Sequence, residues 1–159
     1  MSSGKLVTLI KGKARILAAK QETDYLLVDG PPGIGCPVIA AVSGADLALL
    51  VTEPSVAGAH DLYRIVGVTQ HFGVPSLVCV NKWDLNPSKA QEIATWCTEH
   101  GVPMVGQIPF DQVVTKAMVE GQPVTAYSDG RVSQAIHDLW AQVQAQLAGG
   151  SHGGDQVRH

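Results

Sequence analysis

Leu77-Val78-Cys79-Val80-Asn81-Lys82-Trp83-Asp84 is the stretch on which the fold reading turns. Its first half is apolar without polar alternation. Its second half is a polar loop. An uninterrupted run of this kind marks a strand covered on both faces, as in a parallel sheet. Three further runs share the pattern: Tyr25–Asp29, Leu47–Thr52 and Met104–Ile108. Helical spacing fills the intervals, carried by Leu6, Ile10, Leu17, then Leu62, Ile65, Val66, then Ile93 and Cys97, then Val113 and Ala117, and finally Ile136, Leu139 and Val143. Asn86-Pro87 supplies a cap and a first-turn proline for the third helix, which Gly101 ends. Asp111 caps the fourth, and Gly121 ends it. Strands alternating with helices predict an α/β domain with a mostly parallel sheet flanked by helices. The domain is expected over 1–148, with a flexible glycine-rich tail over 149–159.

Composition agrees. The chain has 159 residues, of which 45% are hydrophobic and only 16% charged. Intrinsic disorder is excluded. Eleven Lys and Arg against fourteen Asp and Glu give a net charge of −3, without a basic cluster, so no nucleic-acid partner is expected. No apolar run approaches the roughly 20 residues of a transmembrane helix. Lys5 leads into Leu6–Ile10, but Lys11 and Lys13 follow that run at once, where a secretory leader has a small-residue cleavage site. The three cysteines, Cys36, Cys79 and Cys97, make neither an even disulfide set nor an iron–sulfur ligand run. They read as reduced thiols of a cytoplasmic protein. Cys97 and His100 stand three apart on one predicted helix, but no second ligand pair accompanies them.

Ligands of open parallel sheets bind beyond the carboxyl ends of the strands. Four loops lie there. In the first, Asp29 precedes Gly30-Pro31-Pro32-Gly33. An acid at this place can hold a magnesium-bound water or orient an attacking one. It can equally satisfy turn amides. In the third, Asn81-Lys82-Trp83-Asp84 has the N-K-x-D spacing. Asn81 can face a purine edge, Lys82 can lie along the ring, and Asp84 can accept the donors of a guanine edge. The same residues also make good turn and capping positions. Pro109-Phe110-Asp111 can present backbone to a base or simply start a helix. The Thr52–Asp61 loop can contact a phosphate or a partner, or merely join strand to helix.

Together, in this order, these loops resemble the MinD/ParA/nitrogenase-iron-protein class of P-loop ATPases. The likeness is greatest to the MinD-superfamily ATPases with an inserted ferredoxin-like domain, and spans about residues 3 to 145. Tyr25–Ile39 resembles the Walker B and switch II segment. Val51–Pro54 with Gly58, His60 and Asp61 resembles the next loop. Asn81 matches an asparagine facing adenine, and Ile108–Asp111 resembles a second adenine loop. Ser3–Val7 resembles the segment where the ATPase resumes after the insert.

The resemblance implies ATP and magnesium as cofactors, with Asp29 as the catalytic and metal-poising acid and Gly30–Gly33 as the switch loop. It assigns adenine to Asn81 and to Pro109, Phe110 and Asp111, and Lys82 joins them as an expected nucleotide-binding residue. It implies an iron–sulfur partner domain, with no cluster in this chain. The class carries its triphosphate on a deviant Walker A loop. Here Gly4-Lys5 and Gly12-Lys13 are the Gly-Lys pairs, and neither has the G-x-x-x-x-G-K spacing. The chain therefore reads as the carboxyl-terminal half of such an ATPase, inactive alone. Its expected partner is the missing amino-terminal half or a second copy of itself. GTP binding through Asn81, Lys82 and Asp84, and a nucleotide-free partner-binding module, are the alternatives.

Overall fold

The computed structural model describes residues 3–150, which fall into two compact units. One comprises residues 3–48 together with Asp61–Pro75. The other comprises Leu49–His60 and residues 76–150.

The second unit contains the sheet. Strands β1 (Ala48–Thr52), β2 (Ser76–Asn81) and β3 (Met104–Ile108) lie in the order β1-β2-β3. β2 and β3 are parallel, with Asn81 opposite Ile108. The unalternated run is the reason β2 is central. Val78, Cys79 and Val80 are fully buried, side chains of both faces alike. Each such aliphatic side chain contributes about 1.5–3 kcal/mol of burial. Helix α4 (Pro87–Glu99) presents Ala90, Ile93 and Cys97 to the core, a spacing of three and four that makes one helical face. The Asn86 side chain caps it by accepting the Lys89 amide at 3.1 Å. After β3 come α5 (Gln112–Val119), the short α6 (Val124–Tyr127) and the long α7 (Arg131–Gly150). Both α7 and α4 pack on β3. Helix α7 continues through Gly149 and Gly150, where the sequence placed the start of the tail. Glycine is tolerated in a last helical turn. The remainder of that expected tail lies outside the described residues.

The first unit is helical. Helix α1 (Ser3–Gln21) packs against α2 (Cys36–Val42), an element the loop reading did not anticipate. Lys11 is the one buried residue of α1. Its ammonium donates to the carbonyls of Ala41 at 2.5 Å and Ser43 at 2.7 Å. Arg15 donates to the carbonyl of Gly44. Two cations thus close the carboxyl end of α2, where unpaired carbonyls concentrate negative charge. Burial, and secondarily Arg15, lower the Lys11 pKa. The other face of α1 is apolar and open: Leu6, Leu9, Ile10, Ile16 and Leu17 are all exposed. Helix α3 (Val56–His71) begins among the residues of the second unit and ends among those of the first.

One expectation fails here. Tyr25–Asp29 is not a strand but chain without regular secondary structure, and Leu27 is 80% exposed. A strand is stabilised by its neighbours more than by its own composition. The described chain gives this apolar run no ladder to join.

Candidate functional site

Three of the predicted loops meet in the second unit, at the carboxyl ends of adjacent strands. Asn81 ends β2, opposite Ile108, so the residues after Ile108 begin beside it. Lys82 follows in the left-handed conformation, φ 54°. For a residue with a Cβ this costs roughly 1 kcal/mol. Its ammonium reaches across to Glu53, after β1, at 2.7 Å. Trp83–Leu85 then forms a short 3-10 turn.

Asp84 stands in that turn and reaches the loop after β3. One carboxylate oxygen accepts the Phe110 amide at 2.7 Å. The other lies 3.5 Å from the Arg131 guanidinium. Arg131 also donates to Asp111 at 3.3 Å and to the carbonyl of Phe110. Asp111 caps α5 by accepting the Val113 amide at 3.0 Å. That bond is the main cause holding its carboxyl below the usual aspartate range. Partial desolvation opposes the shift, and Arg131 and Lys116 add to it. Phe110, Asp111, Gln112, Val113, Lys116 and Arg131 line an open pocket of about 380 Å³. Pro109 and Asp111 are half-buried, and the Phe110 ring is exposed.

The β1–α3 loop is held as firmly. Ser55 caps α3 by accepting the Gly58 amide at 2.9 Å, and its own amide donates to Glu53 at 2.8 Å. Gly58 is required for its size: a Cβ there would lie 2.5 Å from the Glu53 carbonyl oxygen.

Asn81, Lys82, Asp84, Pro109, Phe110 and Asp111 are therefore gathered in one unit. Asp29 and the Gly30–Gly33 loop belong to the other and are exposed, with Gly33 at φ 93°. Gly4-Lys5 and Gly12-Lys13 both lie within α1. Neither is a loop whose amides could cradle a phosphate. Cys97 is fully buried, whereas His100 is exposed, stacked on Trp96 with ring centroids 4.1 Å apart. They do not form a ligand pair. Arg131 is the residue the motif reading missed. Its only local signal is a place at a helix start after Ser128-Asp129-Gly130, and its partners are remote in sequence.

Residues 16–144 match the family model of the NUBPL iron-transfer P-loop NTPases, within the ParA group. The chain belongs to that family. The MinD/ParA-class resemblance and the α/β fold with its flanked parallel sheet are thereby established. A Methanocaldococcus jannaschii protein, MJ0578, is 30% identical over 142 residues, covering 89% of this chain and 46% of that protein. The cytosolic Fe-S cluster assembly factor Nubp1 homolog of Drosophila willistoni is 28% identical over 123 residues, covering 65% of this chain and 40% of its own length. Among solved structures, the septum site-determining protein MinD of Pyrococcus horikoshii, complexed with Mg-ADP, superposes with a TM-score of 0.71 at 26% identity. That match covers 93% of this chain and 58% of the other. The chain thus spans less than half the length of the two sequence relatives. No helix among the described residues is long and apolar enough to cross a membrane.

Proposed function

We propose that this chain forms the base-binding end of an ATP site in a MinD-like ATPase. Asn81 and the Pro109–Asp111 loop hold adenine, and the Lys82 stem borders the ring. The observation that carries the reading is the register of β2 and β3. It sets Asn81 opposite Ile108, one residue from the Pro109–Asp111 loop. The engagement of both Asp84 oxygens within the chain favours adenine over guanine, because a guanine edge needs that carboxylate as acceptor.

The residues present fit the base and not the phosphates. Among the described residues no Gly-Lys pair lies in a loop that could cradle a phosphate, since both pairs are helical. The cradle, with its lysine and magnesium-binding hydroxyl, comes from another segment or chain, of the kind that makes up the rest of the relatives' length. Asp29 serves there as the switch II and Walker B acid, and magnesium held through a water at Asp29 would help neutralise the phosphates. The exposed apolar face of α1, and separately Val51 on β1 at 59% exposure, suit a chain that buries them against such a partner. A second copy is the other partner open to it. The iron-transfer description of the family and the Nubp1 likeness support coupling to an iron–sulfur protein in the cytosol.

Phosphoryl transfer rests on charge positioned around the phosphates, so this chain alone does not hydrolyse ATP. The test is a titration with ATP and with GTP in the presence of magnesium. Trp83 fluorescence and the melting temperature are the readouts, since a ligand of the folded state must stabilise it. Weak binding with preference for ATP supports the reading. Preference for GTP, lost on Asp84→Ala, replaces it with guanine recognition. Absence of binding by any nucleotide favours a partner-binding module. Tight ATP binding would show that the chain holds a phosphate site of its own.

A further inference from the structure

The motif reading treats Asp84 as a residue that faces a base. The structure uses it differently, and the residue responsible is Arg131. Three nitrogens of its guanidinium reach three acceptors: Asp84, Asp111 and the Phe110 carbonyl. The Phe110 amide is meanwhile taken by Asp84. Phe110 is thus held by both its backbone groups, from the β2 side through Asp84 and from the α7 side through Arg131. Exposed ion pairs contribute little singly, and the Arg131 side chain is 59% exposed. A planar fork that engages two carboxylates and a carbonyl is a network, and its geometric demand is one that lysine cannot meet.

We propose that Arg131 is the residue that positions the Phe110–Asp111 loop for adenine and withholds Asp84 from guanine. The inference rests on the reading of this loop as the base site. Two consequences follow from the charges. Without Arg131, Asp84 and Asp111 lose the cation that bridges them, Lys116 remains on the Asp111 side, and the like charges favour a more open loop. The same loss frees an Asp84 oxygen, the acceptor that a guanine edge requires. Adenine affinity falls and guanine affinity rises together. A merely structural brace would lower both.

The experiment uses the full 159-residue chain, isotopically labelled, and the nucleosides themselves. Adenosine and guanosine probe the base site without needing a phosphate loop. Amide shifts of Asn81, Phe110, Asp111 and Val113 report binding. In the unaltered chain adenosine shifts these amides and guanosine binds more weakly. Arg131→Ala is expected to weaken adenosine about tenfold, the scale of a lost charge-assisted hydrogen bond, and to bring the two nucleosides to similar affinity. Arg131→Lys keeps the charge without the fork and is expected to fall between, and it serves where Arg131→Ala spoils the spectrum. Adenosine affinity and preference within about twofold of the parent in both variants would overturn the proposal. So would an equal loss for both nucleosides. Failure of adenosine to shift the parent's amides would instead overturn the base-site reading, and the proposal with it.

Discussion

The Asp84 carboxylate accepts the Phe110 amide at 2.7 Å, so the turn after β2 is tied to the loop after β3. This changes what a substitution at Asp84 reports. On spacing alone, Asp84→Asn should harm a guanine site and nothing else. In the folded chain it leaves an acceptor for Phe110 but turns a neutral amide toward Arg131. Asp84→Asn is therefore expected to loosen the adenine loop as well. Asp84→Ala removes both contacts and is expected to cost about 1.5 kcal/mol, the lower end for a hydrogen bond to a charged group because the side chain is partly exposed. Hydrogen exchange at the Phe110 amide is the direct check. Faster exchange in Asp84→Ala, and less so in Asp84→Asn, is the expected order. Unchanged exchange in both would contradict the tie.

Gly58 holds the neighbouring loop. A methyl group there would approach the Glu53 carbonyl to 2.5 Å and the Ser55 and Thr52 hydroxyls to 3.0 Å. The nearest obstacle is backbone, which cannot swing aside as a side chain can. Gly58→Ala is expected to destabilise the chain by about 1–3 kcal/mol, the range for overpacking. It should also shift Glu53, and with it the ion pair to Lys82. Denaturant melts measure the first effect, and the chemical shift of the Lys82 ammonium the second. A melt unchanged within error would mean that the loop has room to move.

How far these features were legible depends on the range of the forces that made them. Leu77–Asn81 declared itself a buried strand because burial on both faces leaves a local signature, an unbroken apolar run. The caps at Asn86 and Asp111 were legible for the same reason: donor and acceptor stand two or three residues apart. Tyr25–Asp29 carries the same apolar signature and is no strand, because a ladder is made by a neighbour and the run alone does not supply one. The roles of Asp84 and Arg131 were hidden in another way. Asn81-Lys82-Trp83-Asp84 has the letters of a base-reading motif, but the partner of Asp84 is 26 residues away at Phe110. No local pattern distinguishes an aspartate aimed at a ligand from one aimed at its own chain.

The acid side of the stability profile should bear the mark of Asp111. Its carboxyl lies below the usual aspartate range, chiefly through the Val113 amide, with Arg131 and Lys116 adding to the effect. A carboxylate whose folded pKa is depressed binds its proton later in the native state than in the unfolded one. The stability it contributes is fully present above the unfolded value and is lost as pH falls through the folded one. The start of α5 is therefore expected to hold until the pH drops below the usual aspartate range. Carboxyl titration by NMR reads this directly. In Arg131→Ala the Asp111 pKa should rise only part of the way, because the Val113 amide remains. An Asp111 that titrates at the ordinary value in the parent chain would refute the cap as its cause.

The three thiols should separate cleanly. Cys79 and Cys97 are fully buried in the core of the second unit. Burial pushes the Cys79 pKa up to about 11 and raises that of Cys97 in the same direction. The reactive species is the thiolate, so both are protected twice, by access and by protonation. Cys36 stands exposed at the start of α2. A thiol reagent at mildly alkaline pH is expected to modify Cys36 in the native chain and the other two after denaturation. Counting adducts by mass spectrometry with time makes the measurement. Slow modification of Cys79 and Cys97 without denaturant would then report opening of the β2–α4 core, and its rate should rise in any variant that weakens that core. Prompt labelling of all three in the unaltered chain would mean that the sheet and α4 do not close over their thiols as the structure has them.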